Sequence, residues 1–119
     1  HRQLGQYDTA HEEYEQARLL YGETGDALGE AAACHGLGHI LTHLNNRSEA
    51  RRFFDTARHL YAATGHLKGE AEILMDLGRH LTLEDPIKAQ SAFKHAASLF
   101  KRMDDPRIAE AEQELGKFF

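Results

Sequence analysis

The sequence contains little cysteine, proline or tryptophan and has no long apolar run. Its 119 residues include one cysteine, two prolines and no tryptophan. A single cysteine cannot form an internal disulfide, and no apolar stretch approaches the roughly 20 residues that a membrane-spanning helix needs. Scarce proline together with abundant Ala, Leu, Glu and Arg favours helix. We therefore expect one all-α domain, with the cytoplasm as the default location.

An excess of basic residues is also missing. The chain has 14 Lys and Arg residues against 19 Asp and Glu residues, a formal net charge of -5. Nucleic acids and anionic membranes attract proteins that carry a basic patch or stripe. We therefore expect no nucleic acid and no membrane among the partners.

The chain repeats itself at offsets of 40 and 39 residues. One pattern of small and aromatic residues occurs three times, as Ala10-His-Glu-Glu-Tyr14-Glu-Gln-Ala17-Arg-Leu-Leu20, Ala50-Arg-Arg-Phe-Phe54-Asp-Thr-Ala57-Arg-His-Leu60 and Ala89-Gln-Ser-Ala-Phe93-Lys-His-Ala96-Ala-Ser-Leu99. A fixed period of this length is typical of stacked supersecondary units rather than of one core closed on itself. We therefore expect a solenoid, an architecture that serves binding more often than catalysis.

Apolar residues recur at three- to four-residue spacing in six stretches, which predict six helices in antiparallel pairs. The stretches are Tyr7 to Gly22, Ala27 to Leu44, Ser48 to Thr64, Lys68 to Leu83, Pro86 to Met103 and Pro106 to Phe118. Gly25 and Gly65 stand where a left-handed residue ends a helix. Ser48, Asp85 and Asp105 stand where a side chain caps a helix N-terminus.

Two glycines inside predicted helices indicate close helix packing. Gly38 precedes Ala50 by 12 residues, and Gly78 precedes Ala89 by 11. Glycine in a helix interior costs about 1 kcal/mol relative to alanine, so two at equivalent places predict that the next helix approaches closely at the alanine. The expected core residues around them are Leu37, Leu41, Phe54, Ala57, Leu60 and Tyr61 in one unit and Leu77, Leu81, Phe93, Ala96, Leu99 and Phe100 in the next.

These residues resemble the tetratricopeptide repeat family, whose helix pairs carry a Leu-Gly step in the first helix and an Ala-x3-Phe/Tyr-x2-Ala pattern in the second. The matching residues are Leu37-Gly38 with Ala50, Phe54 and Ala57, and Leu77-Gly78 with Ala89, Phe93 and Ala96. The period near 40 is similar to the longer variety found in kinesin light chains, cell-polarity adaptors and bacterial sensor or regulator proteins. The resemblance implies a right-handed α-solenoid that binds peptides or proteins, is not an enzyme and needs no cofactor.

The repeat register divides the chain into two full repeats and two halves. Residues 27–66 and 67–105 are the full repeats, residues 1–26 are the second helix of a truncated repeat, and residues 106–119 are the first helix of another. The segment from Leu4-Gly5 to Ala10 resembles the turn within a repeat and the start of its second helix. Because the chain begins at His1 rather than Met, we expect it to be part of a longer protein.

The resemblance implies that the first helix of each pair lines a concave groove that binds the ligand. The side chains expected to face this groove are Ala32, His35, His39, Thr42, His43, Glu72, Met75, Asp76, Arg79, Thr82, Leu83, Glu110, Gln113, Glu114 and Lys117. Imidazoles and carboxylates with two cations suit an extended or helical peptide of some basic character. A clamp for a C-terminal carboxylate would need more Lys, Arg and Asn residues than Arg79 and Lys117 provide.

His35, His39 and His43 lie at four-residue steps on one predicted helix. Two neighbours could bind one divalent metal ion, but three span about 12 Å, too far for a single ion. We interpret them as a polar groove face and expect no metal, with a pH-responsive surface and metal-dependent assembly as alternatives. Cys34 has no His-Asp arrangement near it in the sequence and is expected to be a buried small apolar residue.

The sequence contains no Ser-His-Asp pattern, P-loop, GxGxxG or Cys-x2-Cys motif, so we expect no catalytic residue. The leading hypothesis is a protein- or peptide-binding scaffold, as the sensor or adaptor segment of a larger protein. The alternative is self-association into a homo-oligomer, because a solenoid cut within a repeat exposes apolar helix faces. The residues expected at those faces are Tyr7, Tyr14, Leu20, Phe118 and Phe119.

Overall fold

The computed structural model describes residues 2–119, and side chains from Gly5 onward. Its helices are α1 (Arg2–Thr24), α2 (Ala27–His43), α3 (Arg47–Ala63), α4 (Leu67–Leu81), α5 (Pro86–Arg102) and α6 (Ile108–Gly116). Residues 2–119 contain no strand, which confirms the predicted all-α fold of about six helices. No helix within this range has the length and apolar content needed to cross a bilayer. The chain divides into two compact units, one up to Thr64 and one from Gly65 onward.

In the first unit, tyrosines on α1 contact α2 in reverse order. The Tyr21 ring packs against Gly29, and the Tyr14 ring packs against Gly36. Tyr7 stacks on His43, with ring centroids 4.9 Å apart. Because residue numbers rise along α2 as they fall along α1, the two helices are antiparallel.

On α3, Phe54 packs against Gly38 of α2. Tyr61 and Phe54 both make edge contacts with His35, with ring centroids 6.4 and 6.1 Å away. The contacts again run in reverse order, so α2 and α3 are antiparallel. Gly38 therefore accommodates the aromatic ring of Phe54 rather than the expected Ala50, which precedes Phe54 by four residues. Ala50 is nevertheless fully buried.

In the second unit, α4, α5 and α6 share one apolar cluster. Phe93 and Phe100 are its largest fully buried side chains, and Phe118 packs near Phe93 with ring centroids 6.2 Å apart. The buried members of the cluster are Ala71, Leu74, Met75, Leu81, Ala89, Ala92, Phe93, Ala96, Leu99, Phe100 and Ala111. Every predicted core residue of both units is buried except Leu60, which is half-buried.

Left-handed residues end four helices. Gly25 and Gly65 have φ angles of 74° and 69°, as predicted. Asn45 and Asp104 have φ angles of 63° and 54° and were not predicted to take this conformation. Asn and Asp tolerate left-handed backbone better than other residues that carry a side chain, so they can end a helix where glycine is absent.

Side-chain acceptors cap three helix N-termini. The carboxylates of Asp26 and Asp85 accept hydrogen bonds from the backbone N–H groups of Gly29 and Lys88, at 2.9 and 3.2 Å. His66 Nδ1 accepts one from Gly69 at 3.0 Å. Asp85 therefore caps α5 as predicted.

The predicted Ser48 cap is wrong. Helix α3 begins at Arg47, which places Ser48 in its first turn. The flanking residue Asn46 forms no side-chain cap, because its amide donates a hydrogen bond to the Glu49 carboxylate at 2.9 Å.

Other predicted helix ends also shift. Helix α1 begins at Arg2 rather than at Tyr7, so the turn expected before Tyr7 is helical, and the Thr9 hydroxyl donates to the Gly5 carbonyl at 3.0 Å. The Leu4 side chain and His1 lie outside the described residues. Helix α4 ends at Leu81 rather than Leu83.

At the other end of the second unit, α6 begins at Ile108 rather than at Pro106. The Asp105 carboxylate accepts a hydrogen bond from the Arg107 backbone N–H at 2.9 Å. This bond makes a turn at 105–107 that precedes the helix, so Asp105 orders the connection without serving as the residue immediately before α6.

Candidate ligand-binding surface

Ion pairs join α4 to α6 and the turn before it. Glu72 Oε2 accepts a hydrogen bond from Arg107 Nη1 at 2.8 Å, and Arg79 Nε lies 3.7 Å from Glu114 Oε2. Glu72, Asp76 and Arg79 lie at i, i+4 and i+7 and therefore share one face of α4. We call Glu72, Asp76, Arg79, Glu114 and Lys117 the charged strip. All five are among the residues predicted to bind ligand.

Glu114 lies between two cations in the charged strip. Arg79 approaches it from α4, and Lys117, at the C-terminal end of α6, approaches its other oxygen. Arg79 also lies 3.6 Å from Asp76. The side chains of both cations are at least half exposed, whereas Glu114 is mostly covered. The strip therefore offers accessible cations around a carboxylate that is held in place.

Arg107 anchors the start of α6 beside α4. It donates to Asp105 and to Glu72, both at 2.8 Å, and its guanidinium lies 5.0 Å from the centre of the Phe100 ring. The hydrogen bonds from Arg107 lower the pKa of Asp105 to about 2, and the same bonds raise the pKa of Arg107. Sequence reasoning missed Arg107, although Asp105 two residues earlier marks a turn that could have drawn attention to it.

The three aligned histidines divide into a pair and a single residue. His35 and His39 stack with ring centroids 5.0 Å apart, and both make edge contacts with Phe54 of α3. His43 instead stacks on Tyr7 of α1. The expectation of a single histidine face is therefore wrong, because each four-residue step turns about 40° around the helix and carries His43 toward α1.

Two other predicted ligand residues do not fit a binding surface on α4. Met75 is 4% exposed and belongs to the apolar cluster, one turn beyond Ala71. Leu83 is 94% exposed but lies past the end of α4, in the connection to α5. The prediction that Met75 and Leu83 face a binding surface on α4 is therefore wrong. The buried face of α4 is wider, and the helix is shorter, than the sequence pattern indicated.

The remaining predicted ligand residues lie on helix surfaces. Thr42 and Thr82 are half-buried, and their hydroxyls donate to the carbonyls of Gly38 and Gly78, each at 2.8 Å. Each hydroxyl is therefore hydrogen-bonded within its own helix. The other three are exposed: Ala32, Glu110 and Gln113. Glu110 and Gln113 lie on α6, on the helix that carries Glu114.

Cys34 is buried on α2, as expected from the sequence. Burial raises the pKa of its thiol to about 11. A thiol that stays protonated and covered is a poor nucleophile and a poor metal ligand. Cys34 therefore acts as a packing residue.

No protein-family model matches the sequence, and no curated protein is significantly similar to it. The crystal structure of BtubC (BKLC) from P. vanneervenii is similar, with a TM-score of 0.83 and 20% identical residues. The alignment covers 95% of this chain and 48% of that one, so this chain spans about half the length of BtubC. At this level of identity the likeness shows the fold alone, an all-α helical repeat.

Proposed function

We propose that this chain is a non-enzymatic scaffold of the tetratricopeptide repeat type that binds a protein or peptide in the cytoplasm. In this proposal it is the sensor or adaptor segment of a larger protein, and the charged strip is its binding surface. The observation that carries the proposal is the placement of Glu114 between Arg79 and Lys117, on a face shared by α4 and α6.

The charged strip suits exchange of ion pairs with a ligand. The Arg79 contacts at 3.6 and 3.7 Å are longer than direct hydrogen bonds, and the Arg79 side chain is half exposed. Exposed ion pairs contribute about 0 to 1 kcal/mol to stability, so the strip is not needed to hold the fold together. A ligand can therefore replace these contacts at little cost in folding free energy.

Charge indicates the ligand class. The surface of α4 and α6 presents four carboxylates, from Glu72, Asp76, Glu110 and Glu114, against the cations Arg79 and Lys117 among the predicted ligand residues. The whole chain also carries a net charge of -5. Complementary charge speeds encounter and selects partners. The preferred ligand is therefore a peptide segment with Lys or Arg residues and at least one acidic side chain to pair with Arg79.

A displayed library of short peptides of mixed charge, followed by fluorescence anisotropy on the selected sequences, tests the proposal. Arg79→Ala and Glu114→Gln are expected to weaken binding by about tenfold each, as loss of an interfacial charge pair does. Lys94→Ala on α5 is the matched control, because Lys94 is an exposed cation in the same unit. Equal affinity of all three variants and the unmodified chain would reject the strip as the binding surface.

His39→Ala provides a second test of the predicted ligand residues. His39 is exposed on α2, so its removal is expected to leave the circular dichroism spectrum and the unfolding midpoint unchanged. Weaker binding of the selected peptide would extend the binding surface to α2. Unchanged binding would confine it to the charged strip.

Self-association is the second candidate function, supported by apolar exposure on α1. Leu19 and Leu20 are 55% and 58% exposed, and Phe119 at the other end is 90% exposed. Tyr7 and Phe118 are poorer candidates than expected, because Tyr7 stacks on His43 and Phe118 packs near Phe93. Static light scattering over a concentration series tests this function. A mass that grows with concentration and reverts in Leu20→Glu would support it, and a constant monomer mass would exclude it.

A further inference from the structure

We propose that His35 and His39 together bind one divalent transition metal ion, a property beyond the proposed peptide binding. The two residues lie one turn apart on α2, and their imidazole rings are stacked with centroids 5.0 Å apart and planes inclined by 23°. One nitrogen of each ring lies within 4.8 Å of a nitrogen of the other. Histidines at i and i+4 on one helix face are a recurring arrangement for binding a single metal ion.

The backbone beneath the two histidines is fixed by packing. Leu37, Gly38 and Leu41, on the same part of α2, are buried, so the spacing between the two histidines does not depend on ligand. Behind the rings, Phe54 contacts both edge-on, at centroid distances of 6.1 Å to His35 and 5.5 Å to His39. Because Phe54 blocks rotation of the two imidazole rings toward the core, the rings can turn more readily toward each other.

Only a small movement is needed to form the chelate. Metal–nitrogen bonds of about 2.0 to 2.1 Å require the two nitrogens to lie about 3 Å apart. His39 is exposed and can rotate toward the half-buried His35. The exposed side of His39 also gives the ion access from solvent, and water would complete the coordination.

Ligand chemistry selects the class of ion. Imidazole nitrogen suits Cu²⁺, Ni²⁺ and Zn²⁺, whereas Mg²⁺ and Ca²⁺ prefer oxygen ligands. Among these ions, affinity for a given nitrogen site is highest for Cu²⁺. With two protein ligands the site is open and binds reversibly, so the fold does not depend on the ion.

Isothermal titration calorimetry of the untagged chain with Ni²⁺ and Zn²⁺ tests the proposal. We expect one ion per chain. Loss of a hydrogen-bonding partner behind a metal ligand already costs about 10- to 100-fold in affinity, so His35→Ala and His39→Ala should each lose at least that much. Mg²⁺ should give no heat of binding.

His43→Ala and His59→Ala are the matched controls. His43 lies one turn further along α2 but stacks on Tyr7, and His59 is an exposed histidine on α3. Both variants are expected to bind Ni²⁺ as the unmodified chain does. Because His39 is exposed, His39→Ala tests the site even if His35→Ala fails to fold. Undiminished binding by His39→Ala, or an equal loss in His43→Ala, would overturn the proposal.

Discussion

The ring of Phe93 occupies the space that a side chain on Gly78 would need. A β-carbon built on Gly78 would lie 2.6 Å from Cε1 and Cζ of Phe93. Phe93 is 1% exposed, so its ring is enclosed by other side chains and cannot turn out into solvent. Gly38 and Phe54 repeat the relationship in the other unit, at 2.4 Å. The Leu-Gly step of the repeat therefore makes room for the aromatic residue of the following helix.

Gly78→Ala is expected to destabilise the protein by about 1 to 3 kcal/mol, as overpacking of a core does. The loss should appear even though alanine is favoured over glycine by about 1 kcal/mol in a helix interior. Urea denaturation measures the change in free energy of unfolding. Phe93→Leu should reduce the free energy of unfolding less in the Gly78→Ala variant than in the unmodified chain, because the smaller leucine side chain relieves the overlap with Ala at position 78.

Gly22→Ala is the control for this prediction. Gly22 lies within α1, and a β-carbon there would meet no atom within 4 Å. Its replacement should therefore stabilise the protein, by about 0.4 to 1 kcal/mol. Stabilisation by both Gly22→Ala and Gly78→Ala would contradict the close contact between Gly78 and Phe93.

His66 caps α4 with its imidazole. Its Nδ1 accepts the Gly69 N–H at 3.0 Å, as the Asp26 carboxylate accepts the Gly29 N–H in the preceding repeat. Replacing a capping residue by alanine costs about 1 kcal/mol, so His66→Ala should lower the free energy of unfolding by about that amount. His66→Asp should restore it, because aspartate caps well and its charge suits a helix N-terminus. Equal stability of the Ala and Asp variants would show that capping is not what His66 contributes.

Cys34 should be unreactive in the folded protein. Its thiol is buried, and burial raises its pKa to about 11, so almost no thiolate exists near pH 8. A thiol-specific chromogenic reagent at that pH should label Cys34 only at the rate at which the protein opens. The same reagent in denaturant should react at once with one thiol per chain. Fast labelling without denaturant would contradict the burial of Cys34.

Local pattern was enough to predict the helices and most of the core. The repeat offset aligned Phe54 with Phe93, 39 residues later, and Gly38 with Gly78, 40 residues later, and each glycine does pack against its aromatic residue. The repeat could not show that the partner was the aromatic ring rather than the alanine one turn earlier. That choice depends on the axial offset between two helices, which periodicity leaves open.

Contacts between repeats were harder to predict than contacts within them. The packing of Tyr14 against Gly36 joins α1 to α2, and its sequence signal was the seven-residue spacing of Tyr7, Tyr14 and Tyr21. The charged residues of α4 and α6 were predicted to share a surface, but Arg107 was missed because its partner Glu72 lies 35 residues away. Nothing in the neighbourhood of Arg107 in the sequence indicates that distant carboxylate.

The pairing of Asp105 with Arg107 should make stability fall in acid. The pKa of Asp105 is about 2 in the folded protein, against an ordinary value of 3.8. Because folding lowers this pKa, the carboxylate stabilises the protein above about pH 4, and the contribution is lost as pH falls from about 4 to about 2. Asp105→Asn should therefore remove the part of the pH dependence that lies in this range.

Urea denaturation of the unmodified chain and of Asp105→Asn, at several pH values between about 6 and 2, measures the effect. The two free energies of unfolding should differ by a constant amount above about pH 4 and approach each other below it. Asp104→Asn is the control, since Asp104 is the neighbouring exposed carboxylate and asparagine accepts its left-handed φ of 54°. That variant should keep the full loss of stability in acid. If Asp105→Asn keeps it as well, the hydrogen bonds from Arg107 do not stabilise the folded state, and the start of α6 is ordered instead by its apolar contacts with α5.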